Sequence, residues 1–97
     1  MRTRRNALES DGTLVLNAGA LDGGTLLTVE ICKRERKPMY AVQLDSADFG
    51  QESARVREWL KSNAIAVLNV AGPRESKRPG VYRRAYEFLN RLCARRE

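Results

Sequence analysis

The chain alternates short apolar runs with longer segments that are apolar on one side only. Three runs, at residues 13–17, 39–44 and 64–71, are rich in aliphatic side chains and are bounded by turn-forming or charged residues, which is typical of strands. Each run is followed by a segment in which apolar residues recur at helical spacing, and a short helix precedes the first run. The predicted order is therefore a short helix followed by β-α-β-α-β-α.

Alternation of this kind predicts a parallel sheet with right-handed crossovers and helices on both faces. The expected fold class is α/β, a Rossmann-like three-layer α/β/α arrangement with a short parallel sheet of about three strands, in a single domain over residues 1–97. The run at 64–71 is continuously apolar, so it is predicted to be a strand covered on both faces. Three strands are few for this architecture, and we expect the sheet to be incomplete.

Composition narrows the possible functions. The chain has 97 residues, a net charge of +6 and no histidine, which excludes a histidine base, a Ser-His-Asp triad and a histidine-bearing zinc site within it. Neither a membrane-spanning run of about 18 apolar residues nor a secretory signal is present, so a cytoplasmic protein is expected. Cys32 and Cys93 have no metal-binding spacing and are predicted to be small core residues.

Positive charge is concentrated near the C-terminal end. Residues 74–97 include eight basic and three acidic residues, which favours an anionic partner. Among anionic partners, nucleic acid bound through the basic C-terminal helix is the least favoured, because aromatic residues are not interleaved with the basic residues on an exposed face. For the last helix itself, the basic residues are expected to form a solvated face. For the loop before it, a small anionic ligand is the favoured interpretation.

Two loops that follow predicted strands are candidates for the ligand site, since ligands of open parallel sheets bind beyond the carboxyl ends of the strands. In the first loop, Gly23, Gly24 and Thr25 come directly before a helix, whose first N–H groups and positive dipole end favour an anion. The alternative is that the two glycines only form a tight connection.

The loop between the third strand and the last helix is the more specific candidate. It runs from Gly72 to Gly80 and ends where the helix begins. Cations beside a helix N-terminus form an anion site by simple electrostatics. The alternative is that Arg74 pairs with Glu75 and braces the loop. The residues of this loop that we expect to contact a ligand are Gly72, Arg74, Ser76, Lys77, Arg78 and Gly80.

Several stretches resemble the putative molybdenum carrier family: "SDGTLVL", "GGTLLTVE" and "VLNVAGPRESKRPGVYRRAYEFL", of which "NVAGPRES" is the most specific. The resemblance extends from about Arg2 to Leu92. That family is similar to the LOG-like Rossmannoid nucleotide-binding proteins. The resemblance implies a ligand that is an oxyanion or a phosphorylated compound: molybdate, molybdenum cofactor or a nucleotide.

One acidic residue is a candidate for catalysis. Glu30 lies in an otherwise apolar turn of its predicted helix, where a charge is costly unless it is paired or used. Arg2 and Glu30 also match the spacing of the LOG pattern, which implies a nucleotide phosphoribohydrolase with these two catalytic residues as the alternative function. Leu26 and Leu27 stand where that pattern has Gly-Thr, which favours binding over catalysis.

The resemblance has a further implication for assembly. Members of the molybdenum carrier family begin with another strand and a glycine-rich loop, and this chain resembles the part that follows them. We therefore expect either a homo-oligomer or a partner that supplies the other half.

Overall fold

The computed structural model of the protein describes residues 2–21, 23–75 and 78–93. The predicted order of elements is confirmed, with a helix before three successive strand–helix pairs. The helices are α1 (Arg2–Glu9), α2 (Gly23–Arg34), α3 (Phe49–Ser62) and α4 (Val81–Cys93), and the strands are β1 (Gly12–Asn17), β2 (Met39–Gln43) and β3 (Leu68–Ala71).

The three strands form one parallel sheet in the order β2-β1-β3. The central strand β1 is buried along its whole length. Helices α3 and α4 pack on one face of the sheet, and α1 and α2 pack on the other. The predicted Rossmann-like three-layer fold is therefore confirmed.

The larger core lies between the sheet and the helices α3 and α4. Leu14 and Leu16 of β1 point into it, and Phe88 of α4 is completely buried there. The Phe88 ring meets Phe49 edge to face, with 5.3 Å between the ring centroids. The predicted apolar stripe of the last helix is thus its buried face, formed by Val81, Ala85, Phe88, Leu89 and Leu92.

The smaller core joins α1 to α2 on the opposite face. Ala7, Ile31 and Cys32 are its buried residues. The prediction that Cys32 is a core residue is confirmed, whereas the same prediction for Cys93 is wrong. Cys93 is the last residue of α4 and follows the buried Leu92, so the helical rotation carries its side chain away from the core into solvent.

The third strand is shorter and more exposed than its apolar sequence predicts. Only Leu68–Ala71 is strand, and Val67, just before it, is 58% exposed. Ala64 has a positive φ of 51°, so the chain turns after α3 before it enters the sheet. The prediction of a long strand covered on both faces is therefore wrong, because the first half of the apolar run forms this turn.

The described residues include neither a membrane-spanning helix nor a cluster of metal ligands. None of the helices in residues 2–21, 23–75 and 78–93 is both long and apolar enough to cross a bilayer. The same residues contain no cluster of three or more His, Cys, Asp or Glu side chains that could hold a metal ion.

Candidate anion-binding site

The carboxyl ends of the three parallel strands lie at one edge of the sheet, and Arg78 connects two of the loops that follow them. Its Nε donates a hydrogen bond to the carbonyl oxygen of Ala18 at 2.7 Å, and one of its terminal nitrogens donates to that of Ala20 at 3.1 Å. Ala18 and Ala20 belong to the β1–α2 loop, whereas Arg78 belongs to the β3–α4 loop. The two loops selected from the sequence are therefore neighbours, and a guanidinium group lies between them.

The N-terminus of α2 has the conformation and the space that an anion site needs. Gly23 has a positive φ of 53°, which explains why glycine stands at the first position of the helix. A Cβ added at Gly24 would meet no other atom within 4 Å, and the same holds at Gly80 before α4. The first turn of α2 contains no acidic residue. Thr25 follows, and it is only 3% exposed.

The N-terminus of α4 is used differently. The carboxylate of Glu75 accepts hydrogen bonds from the backbone N–H of Gly80 at 2.6 Å and of Tyr82 at 2.9 Å. These bonds lower the pKa of Glu75, with the larger effect from Gly80. Glu75 therefore caps the helix instead of pairing with Arg74. The N–H of Gly80 was expected to bind a ligand, but it donates to the carboxylate of Glu75.

The remaining candidate residues of the β3–α4 loop differ in their surroundings. Gly72 lies against β1, since a Cβ added there would come within 2.5 Å of the carbonyl oxygen of Leu16. The side chain of Arg74 is exposed and makes no hydrogen bond or ion pair within the described part of the chain. Ser76 and Lys77 lie outside the described residues.

The two candidate catalytic residues are placed less favourably. Arg2 is the first residue of α1, and its side chain lies outside what the structure describes. Glu30 is exposed on α2. The expectation that its charge is buried, and must therefore be paired or used, is wrong, because the buried face of this part of the helix is formed by Thr28, Val29, Ile31 and Cys32.

Polar residues that the sequence analysis did not select also lie at this edge. Asn17, the last residue of β1, is 3% exposed and donates to the carbonyl oxygen of Gly19 at 2.9 Å and to the side-chain oxygen of Gln43 at 3.0 Å. Arg84 reaches across from α4 and donates to the carbonyl oxygen of Leu44 at 3.1 Å. Asn17 could have been selected from the sequence, because it is a polar residue at the end of an apolar strand and ligands bind beyond the strand ends. Arg84 had no comparable signal, since it resembles any surface arginine of an amphipathic helix.

Together these features define a Rossmann-like α/β protein with several arginines at the carboxyl edge of its sheet. The chain belongs to the circularly permutated YpsA SLOG family, whose model matches residues 1–93.

A solved structure shows the same fold over almost the whole chain. It is the crystal structure of a putative molybdenum carrier protein from Syntrophus aciditrophicus SB, with 36% sequence identity and a TM-score of 0.92. The similarity covers 96% of this chain and 59% of that protein, so the chain spans less than two thirds of its relative's length. No curated protein matches the chain.

Proposed function

We propose that this protein binds a small oxyanion or phosphorylated ligand at the carboxyl edge of its sheet. The ligand would accept hydrogen bonds from the first turn of α2, at Gly23, Gly24 and Thr25. Arg74 and Lys77 would neutralise part of its charge, and Ser76 would add a hydrogen bond. Arg78 would hold the β1–α2 loop in the binding conformation through its bonds to Ala18 and Ala20.

The observation that carries this proposal is the difference between the two helix N-termini. The N-terminus of α4 is already neutralised by the carboxylate of Glu75. At α2, by contrast, none of the described residues accepts a hydrogen bond from the N–H of Gly23, Gly24 or Thr25. An anion is attracted to exposed backbone N–H groups at a helix start, so α2 is the end where a ligand is favoured.

The chemical identity of the ligand is proposed from the relatives. The name of the Syntrophus aciditrophicus protein refers to molybdenum. Nucleotides are included because the chain also resembles the LOG-like nucleotide-binding proteins. Molybdate, molybdenum cofactor and nucleotides share a compact group with several anionic oxygens. Such a group suits a helix N-terminus flanked by cations.

Isothermal titration calorimetry with sodium molybdate, and separately with adenosine monophosphate, tests the proposal. We expect at least one of the two to bind, and we expect Arg74→Ala to weaken that binding about tenfold, the loss of one charge-assisted interaction of about 1.4 kcal/mol. Gly24→Ala is the sharper variant. Its methyl group would enter the space left for the ligand, yet alanine is compatible with the helix and should not reduce stability.

The matched control is Arg34→Ala. Arg34 is exposed in the last turn of α2, at the opposite end of the helix, and its loss changes the net charge by the same amount. We expect its effect on binding to be less than about twofold at moderate salt. Equal losses for Arg74→Ala and Arg34→Ala would mean diffuse attraction without a local site, and no binding of either compound would contradict the proposal.

A further inference from the structure

Strand β3 pairs with a neighbour on one side only. Its residues are in register with β1 from Gly12 opposite Leu68 to Val15 opposite Ala71, and no strand of the described chain lies on its other side. The outward N–H and C=O groups of an edge strand are free to pair with another chain unless something covers or blocks them. β3 consists of Leu-Asn-Val-Ala and contains no proline and no charged residue that would block such pairing.

The faces of β3 are also incompletely covered. Strands of parallel sheets are usually buried on both faces, as β1 is here. In β3, by contrast, Val70 is 44% exposed although it lies opposite Leu14, which is completely buried. Val67, just before the strand, is 58% exposed. Exposed aliphatic side chains therefore accompany the free backbone edge.

The other edge strand, β2, also lacks an outer neighbour in the described chain, but its large apolar side chains are better covered. Helix α3 packs against β2, and Val42 of that strand is 1% exposed. The ring of Tyr40 contacts Trp59 of α3, with 5.9 Å between the centroids. β3, in contrast, makes its main contacts with β1. Of the two edges, β3 is therefore the one whose exposed valines favour the addition of another element.

We infer that the free edge of β3 binds a β-strand of another polypeptide segment, and that this segment is the counterpart of the part of the Syntrophus aciditrophicus protein that lies outside the match. That segment would pair with Leu68–Ala71 and cover Val70 with its own apolar side chains. The relative has the same fold over 96% of this chain and contains further polypeptide beyond it. A second copy of this chain is a less suitable occupant, because each copy has a net charge of +6 and two copies repel each other.

Co-production of this chain with the unmatched part of the Syntrophus aciditrophicus protein, as two separate polypeptides in the same cells, tests the inference. We expect a 1:1 complex by size-exclusion chromatography with light scattering. We also expect amide hydrogen exchange within Leu68–Ala71 to slow at least about tenfold relative to the chain alone, while exchange in β2 changes little.

Two matched lysine variants locate the surface. Val70→Lys places a charge on the exposed face of β3 and is expected to abolish the complex. Ala41→Lys places the same charge at an exposed position of β2 and is expected to leave the complex intact. Cooperative thermal unfolding of each variant alone establishes that it is folded, and Val67→Lys replaces Val70→Lys if it is not. Failure to recover the complex, or equal losses for both edges, would overturn the inference. Dimerisation of the chain alone that is lost in Val70→Lys would also overturn it, in favour of a second copy as the occupant.

Discussion

Single side chains hold the ends of the strands in place. Glu75 caps α4, and Arg78 fastens the β1–α2 loop to the β3–α4 loop. The sequence predicted Arg78 as a cation at the site. It did not predict that backbone carbonyl groups would be its partners, because those bonds depend on the distance between two loops that are far apart in the sequence. Asp11 has a similar role at the opposite edge, where it accepts hydrogen bonds from Ala66 and Val67.

Asp11 should make the stability of the protein depend on pH. Hydrogen bonds from the N–H of Val67, at 2.8 Å, and of Ala66, at 3.0 Å, favour the ionised carboxylate and hold the pKa of Asp11 below its ordinary value of 3.8. Its contribution to stability is therefore complete above that value, and it is lost as the pH falls through the lowered pKa.

The variant Asp11→Ala isolates this contribution. We expect the variant to have a lower free energy of unfolding than the wild type at neutral pH, as measured by urea denaturation. The difference should narrow as the pH falls below 3.8 and then through the lowered pKa of Asp11, because the wild-type carboxyl group becomes protonated and loses its charge. A difference that stays constant over this range would mean that the charge of Asp11 does not contribute.

The strands and helices were largely predictable, and their exceptions have local causes. Alternation of apolar runs and amphipathic segments predicts all seven elements in order, because burial against a sheet imposes those periods. The start of β3 was predicted wrongly, because the run from Ala64 to Val67 is as apolar as a strand. Only the left-handed backbone at Ala64 shows that the chain turns there, and no side-chain pattern reports it.

Contact between the ends of β3 and β1 can be tested at Gly72. A Cβ at this position would lie 2.5 Å from the carbonyl oxygen of Leu16, and neither backbone can move without disturbing the sheet. We expect Gly72→Ala to lower the free energy of unfolding by about 1–3 kcal/mol. Gly24→Ala is the control, since its methyl group meets no atom within 4 Å and should leave stability unchanged or raise it by about 0.4–1 kcal/mol. Similar effects of the two substitutions in urea denaturation would show that Gly72 is not a close-contact position.

The molecule as a whole combines a predictable fold with a site that was only partly predictable. The loops at the carboxyl edge followed from the topology, because parallel strands bring their carboxyl ends together. The capping of α4 depends on Glu75, whose partners are five and seven residues away, at Gly80 and Tyr82. Sequence spacing alone does not distinguish this cap from an ion pair with Arg74.

Whether the protein only binds its ligand or also hydrolyses it depends on the whole site. We expect no detectable release of base from adenosine monophosphate, because Glu30 is exposed and Leu26 and Leu27 replace the Gly-Thr of the LOG pattern. Chromatographic detection of adenine after prolonged incubation is the measurement. Release that disappears in Glu30→Ala would contradict this expectation and would favour the phosphoribohydrolase function.

The most direct test of the proposed anion site is a titration of the ¹⁵N-labelled protein with sodium molybdate, followed by the backbone amide signals. The account predicts that the largest shifts fall on Gly23, Gly24 and Thr25, with the signal of Gly80 less affected because Glu75 already accepts its hydrogen bond. Sodium chloride at equal ionic strength is the control. Shifts that spread evenly over the basic residues of α4, with α2 unchanged, would contradict the account.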